Sequence, residues 1–214
     1  GVHKQRTFSD LAKNLTLVNM VKLILGSDIY ILQSRINFKL PFVGTGWHWH
    51  SDFETWHAQD GMPEMRCLTV MIPLTPNTQL NGPLLVIPKS HDLFYSCPKS
   101  EVHDAMENFA DQKEGLPDEE AMKVFFERSK GRAEIVTCEP GDIVLFDCNI
   151  VHGSVQNMTP FQRKNLFFVY NSIENKLQNP FSVDTFRPEE MGTREKIEIL
   201  KYENCKNKST RKHR

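Results

Sequence analysis

The stretch Trp47-His48-Trp49-His50-Ser51-Asp52 concentrates side chains that bind metals. His50 and Asp52 are two residues apart, so on an extended strand an imidazole and a carboxylate leave the same face and offer two adjacent ligands to a divalent ion. A third ligand must come from elsewhere in the chain, and His152, within Asp147-Cys148-Asn149-Ile150-Val151-His152-Gly153-Ser154, is a candidate. Two histidines and one carboxylate on one side of an ion leave the other side open, which is the facial arrangement of non-haem Fe(II) oxygenases. The pair alone is a weak signal. On spacing, His48, His57 and His91 compete as ligands.

The elements that must place these groups read as mainly β. Residues 29–32 and 36–38 have strand character, as do residues 67–74, 84–87, 133–138, 143–146 and 166–170. Asn81-Gly82-Pro83 and Pro140-Gly141-Asp142 are turn signals between them. Short strands with such punctuation imply an antiparallel sandwich or barrel. His152 follows the strand at 143–146 and folds back over the barrel mouth. Apolar spacing predicts one helix over residues 8–25 (Leu11, Leu15, Val18, Val21, Leu25), capped by Ser9 or Asp10 and ended by Gly26. A charged insert spans about residues 100–131, with an amphipathic helix over 117–129 carrying Met122, Phe125 and Phe126. A further helix is expected near 188–202. Residues 1–202 read as one domain, and 203–214 as a basic, disordered tail.

Composition excludes several classes. The 214 residues suit one compact domain, and a formal net charge of −1 argues against nucleic-acid binding, which needs a basic face. No apolar run reaches bilayer-spanning length and the start lacks a signal-peptide pattern, so no membrane partner is expected. Cys67, Cys97, Cys138, Cys148 and Cys205 are few and widely spaced, without a Cys-x-x-Cys pair. Small buried thiols in a reducing cytoplasm are the expectation, rather than disulfides or a zinc-thiolate site.

The run from Trp49 through Glu54-Thr55-Trp56-His57, continuing Asp60-Gly61-Met62-Pro63 and Met65-Arg66, resembles the signature of the ectoine hydroxylases, within the phytanoyl-CoA dioxygenase superfamily. Asn81-Gly82-Pro83-Leu84, Ile87-Pro88, Ser90-His91, Phe146-Asp147-Cys148-Asn149 and His152-Gly153-Ser154 extend the resemblance, which covers residues from about 27 to 181. It departs where Lys89 replaces a common Gly and Gln59 a common acid. Family members also carry a longer N-terminal segment, and this chain opens on Gly1 rather than Met.

The resemblance implies a double-stranded β-helix (jelly-roll, cupin-like) barrel with flanking helices. It implies Fe(II) on His50, Asp52 and His152, with 2-oxoglutarate and dioxygen as co-substrates, and a cytoplasmic homodimer. Arg163, on the strand after His152, is similar to the superfamily's arginine for the distal carboxylate of 2-oxoglutarate, a bond for which a guanidinium fork is suited. Ser154, Lys39 and Asn37 complete that site. Gln33, Trp56, Phe146 and Phe167 match the family's contacts to ectoine, a small cyclic amidinium with a carboxylate, whose delocalised cation suits aromatic faces. Glu54, His57 and Asp60 are expected to orient the loop after the metal pair. The implied reaction is hydroxylation of ectoine to 5-hydroxyectoine, a compatible solute. A sister dioxygenase acting on another small zwitterion or an acyl chain, and a metal-binding barrel without catalysis, are the alternatives.

Overall fold

The computed structural model of the chain describes residues 1–96 and 116–200. The basic tail, Cys97, Cys205 and the first half of the charged insert lie outside them.

Among the described residues, eight strands form two four-stranded antiparallel sheets. The first contains β1 (Ile29–Lys39), β8 (Arg163–Ser172), β3 (Cys67–Pro73) and β6 (Val144–Asp147), in that order. The second runs β2 (Trp47–His50), β7 (His152–Ser154), β4 (Leu84–Val86) and β5 (Glu134–Val136). This is the expected jelly-roll sandwich.

The first sheet is buried on both faces. Its outer face packs against α1 (Arg6–Ala12) and α2 (Leu15–Leu25) through Ala12, Leu17, Val18 and Val21, which meet Ile31, Val70, Phe168 and Tyr170. The expected single helix at 8–25 is therefore two. Asn14 breaks it, accepting hydrogen bonds from Thr16 N (3.1 Å) and Leu17 N (3.3 Å) as the N-cap of α2. Ser9 and Asp10 lie inside α1 and cap nothing, whereas Gly26 ends α2 in the left-handed conformation (φ 67°) as its type implies.

A β-bulge in β1 decides what the site receives. Register shifts between Ile31 and Gln33. Before it, Ile29 and Ile31 face the helices while Tyr30 and Leu32 face inward. After it, Ile36 faces the helices and Gln33, Arg35 and Asn37 line the interior. One extra residue thus inverts the alternation and turns a polar row inward.

The insert carries α4 (Glu119–Arg128), capped by Asp118, whose side chain accepts from Ala121 N. Phe125 packs it on Ile87 and Val151. The helix expected near 188–202 is absent over residues 188–200. Its backbone donors are used otherwise: Thr193 N and Leu200 N bond Leu32 O and Ile29 O along β1, and the Glu189 carboxylate takes Arg194 N, Glu195 N and Lys196 N. A helix would forfeit all of these.

Candidate metal centre and cavity

His50 ends β2, His152 begins β7, and Asp52 is the first residue of α3 (Asp52–Asp60). His50 and His152 are paired across the two strands. Asp52 does not share a strand with His50. The chain turns into a helix at Ser51, and the helix N-terminus presents the carboxylate, where the helix dipole favours negative charge. Gly153 permits the approach of β7 to β2, because a Cβ there would lie 3.0 Å from Trp47 O.

One ligand atom from each of the three residues lies within 4.8 Å of the others. His50 Nε2 is 3.8 Å from Asp52 Oδ1, and His152 Nε2 is 4.0 Å from Asp52 Oδ2. Each imidazole is oriented through its other nitrogen: His50 Nδ1 bonds His48 O at 2.7 Å and His152 Nδ1 bonds Ile150 O at 2.9 Å. Donation to a carbonyl at Nδ1 leaves the Nε2 lone pair facing the centre. Burial and the neighbouring His152 push His50 down to about 4, so its ring is neutral near pH 7. Burial alone would raise Asp52, but His152, Arg35, His50 and Arg187 outweigh it and hold the carboxyl below its ordinary range. The approach of His50 to Asp52 is therefore not an ion pair at neutral pH. Acceptor atoms face one another, and the buried Asp52 Oδ2 finds no hydrogen-bond partner among the described residues. Such a set is costly without a cation and fits a divalent ion held by two imidazoles and a carboxylate. The competitors stand aside. His48 and His91 are exposed, and His57 donates from Nδ1 to Met62 O (2.7 Å). A bulge between Trp47 and His50 separates His48 from the buried face that its spacing predicts.

The triad opens on a cavity of about 300 Å³. Gln33, Asn37, Trp56, Phe146, Ser154, Arg163 and Phe167 all line it. Lys39 reaches the same end from β1, donating to Ser154 Oγ (2.8 Å) and Val155 O (2.5 Å). Arg163 donates from Nη1 to Gly82 O (2.8 Å), while its buried Nε has no partner. Lys39 and Arg163 are 2 % and 3 % exposed, and no carboxylate among the described residues offsets them. Burial and then Arg163 push Lys39 down to about 7, and burial pushes Arg163 down to about 10. Two buried cations side by side make a site for an anion. Gly82 (φ 80°) is required there, since a Cβ would lie 2.6 Å from Lys39 Cδ and 2.7 Å from Val155 O.

At the opposite side Trp56 is 2 % exposed, within the core cluster of Phe53 and Met62, and Phe146 stands 5.3 Å from the His152 ring. Two charged lining residues escaped the sequence reading. Arg35 lies 5.2 Å over the Phe167 ring and donates to Gln33 Oε1 (3.0 Å), and Arg187 comes from the segment after β8. The alternation Gln33-Arg35-Asn37 carried a signal for Arg35. Nothing local carried one for Arg187. Glu54, His57 and Asp60 belong to α3 rather than to a loop. Family-matching residues outside the cavity are ties: Asn149 accepts from Ser51 Oγ and donates to His91 O and Leu93 O, and Ser90 Oγ accepts from Val151 N. A second cavity of about 360 Å³, lined by Lys4, Lys13, Lys196 and Glu198 among others, lies away from this chemistry.

The sequence pattern of the phytanoyl-CoA dioxygenase (PhyH) family matches residues 1–165. The ectoine dioxygenase of Sphingopyxis alaskensis is 43% identical over 189 residues, 87% of this chain and 61% of that protein. That of Streptomyces avermitilis is 44% identical over 199 residues, 91% of this chain and 66% of that protein. Among solved structures, EctD from S. alaskensis with 2-oxoglutarate and 5-hydroxyectoine superposes with a TM-score of 0.79 at 42% identity, covering 90% of this chain and 62% of that one. The same protein with bound Fe gives 0.78 at 38% identity, covering 94% and 65%. The chain thus spans less than two thirds of the length of these relatives. Among the described residues, no helix is long and apolar enough to cross a membrane.

Proposed function

The chain belongs to the phytanoyl-CoA dioxygenase family, and from that premise we propose that it forms the catalytic unit of an Fe(II)- and 2-oxoglutarate-dependent dioxygenase that hydroxylates ectoine to 5-hydroxyectoine. The observation that carries this reading is that a ligand triad with an unpartnered buried carboxylate oxygen and a buried, uncompensated pair of cations open on one cavity. A binding module has no need of both. The ectoine dioxygenases it resembles supply the substrate class.

His50, Asp52 and His152 would hold the iron, and their fixed rings set its orientation in the cavity. With dioxygen and 2-oxoglutarate, iron supplies the oxidising power for a C–H hydroxylation, and the co-substrate is released as succinate and carbon dioxide. Arg163 and Lys39 bind the distal carboxylate of 2-oxoglutarate, the guanidinium through its unused Nε and the fork geometry. Ser154 orients Lys39, and Asn37 adds an amide from the same strand. Gln33, Trp56, Phe146 and Phe167 receive the substrate ring, with aromatic faces toward its amidinium. Arg35 and Arg187 give its carboxylate a choice of two guanidinium partners. The buried aromatic wall excludes water from the reacting bond.

Both sheets supply cavity residues, which supports reading residues 1–202 as one unit. Cys67, Cys138 and Cys148 are free, which supports a reducing cytoplasm. Exposed Phe42, Val43, Met158 and Phe161, on loops tied by Phe42 N to Thr159 O, support a homodimer face. The test is succinate release from the Fe(II)-loaded protein with and without ectoine. Stimulation with one hydroxyl added to the ring is expected. Iron and 2-oxoglutarate binding without any stimulation or conversion would assign the site to another small molecule.

A further inference from the structure

Helix α3 does two things at once. Its first residue, Asp52, belongs to the metal triad, and Trp56, one turn on, lines the cavity. Its last turn holds a long irregular segment. Ala58 O accepts from Phe181 N, Ser182 N and Ser182 Oγ, and Gly61 O accepts from Gln178 N. Phe181 stacks on the His57 ring at 4.4 Å. The segment then returns to the cavity, where Arg187 and Met191 line the wall while remaining partly open to solvent. They therefore stand at its mouth.

What fixes that return is Asp60. Its side chain is fully buried and meets two guanidiniums. Arg187 donates from Nε to Oδ1 (2.9 Å) and closes a second bond from Nη2 to Oδ2. Arg194 donates from Nη2 to Oδ1 (3.1 Å) and from Nη1 to Gly192 O (3.0 Å), with Phe186 4.6 Å away across its guanidinium plane. Gly192 lets the chain pass, for a Cβ there would sit 3.1 Å from Asp60 Oδ1. One carboxylate thus gathers both ends of the turn 187–194, and the bidentate pair fixes direction as well as distance.

We propose that Asp60 is a positioning residue: through Arg187 and Arg194 it latches the segment 178–194 across the cavity mouth and so sets how the substrate is held, without touching metal or co-substrate. The substrate half of this statement rests on the function proposed above, whereas the latch does not. Asp60 sits two turns along α3 from Asp52, and Lys39 and Arg163 approach the cavity from β1 and β8, so its loss should leave both of those functions in place.

The test uses the full chain with Asp60→Asn, which keeps shape and removes charge, and with Arg194→Gln and Arg194→Lys in case Asp60→Asn does not fold. Amide hydrogen exchange over residues 183–196 is read with metal and 2-oxoglutarate bound, beside KM for ectoine, Kd for 2-oxoglutarate and metal stoichiometry. Asp60→Asn and Arg194→Gln should speed exchange of this segment at least tenfold and raise KM for ectoine at least tenfold. Metal content and the 2-oxoglutarate Kd should stay within twofold, and Arg194→Lys should recover part of the loss. Unchanged exchange overturns the latch. Faster exchange with KM for ectoine within twofold overturns the positioning role, as does a parallel loss of metal and 2-oxoglutarate. If the unaltered protein does not turn over ectoine, the proposed function fails and the exchange measurement still decides the latch.

Discussion

Replacing Arg163 with alanine should weaken 2-oxoglutarate binding by about two orders of magnitude and leave the metal in place. The guanidinium is 3 % exposed, with one bond to Gly82 O and a buried Nε that nothing else satisfies. A carboxylate delivered there is cut off from water, and removing one partner of a buried, hydrogen-bonded charge pair costs about 3–5 kcal/mol. At about 1.4 kcal/mol per tenfold change, that is roughly 10²- to 10³-fold or somewhat more in Kd. The lower end is favoured by the neighbour. Arg163 is one of the two causes that push Lys39 down to about 7, so its removal lets Lys39 hold its proton better and offset part of the loss. Arg163→Lys keeps the charge but not the fork, and should fall between, at about tenfold. Calorimetric titration of 2-oxoglutarate into the anaerobic Mn(II)-loaded protein at pH 7 measures this directly. A Kd for Arg163→Ala within threefold of the unaltered protein would refute the assignment and move the carboxylate site elsewhere in the cavity.

Three further outcomes are expected. Asp52→Ala and His152→Ala should each lose bound iron as measured by elemental analysis, whereas His48→Ala should keep it, because His48 is exposed and its carbonyl, which alanine retains, serves His50. Raising the pH should weaken 2-oxoglutarate binding: Lys39 is charged below about 7 and neutral above it, so Kd should rise through that point, by up to about 30-fold at pH 8.5, and Lys39→Met should flatten the profile. The stability contribution of Lys39 in the ligand-free protein has the opposite sense, since its pKa in the folded state is below the ordinary 10.5: the unfolded chain binds more protons between about 7 and 10.5, and stability rises with pH across that window. Lys89→Gly should raise the melting temperature by about 1–4 °C, because Lys89 holds φ 67°, a conformation costing about 1–2 kcal/mol for a residue with a Cβ, partly offset by about 0.4–1 kcal/mol of unfolded-chain entropy. A lower melting temperature would show that the lysine side chain is held by more than its backbone costs.

The candidate ligand pair His50 and Asp52 was legible because its residue types are distinctive and two apart, whereas His152, far along the chain, was brought to them by the resemblance. The reason they meet was not legible. Spacing put Asp52 on the strand of His50, yet the strand ends at His50 and a helix N-terminus presents the carboxylate. The outcome survives because strand-then-helix brings residues two apart together as well as an unbroken strand does. The same limit governs the polar row of β1. Alternation alone would carry Gln33, Arg35 and Asn37 on the parity of Ile29 and Ile31, against α2, and only the bulge near Leu32 turns them to the cavity. A bulge leaves almost no mark in residue type, since it is settled by which partner β8 offers across the ladder.

The segment after β8 shows the converse, a local pattern overruled from afar. Its charged, helix-like spacing competes with three demands that no window of that segment contains. β1 has a free edge that takes Thr193 N and Leu200 N, Glu189 draws in the next donors, and Asp60 holds the two arginines. Each demand is weak beside a whole helix, but together they remove the hydrogen bonds that a helix would need and bury its charges where a carboxylate is waiting. Sequence reasoning fails here, at the cavity mouth, because the groups that decide the backbone lie on β1 and α3 and not in the segment itself. That is also why Arg187, which no family-like motif announced, lies within reach of the same space as the triad.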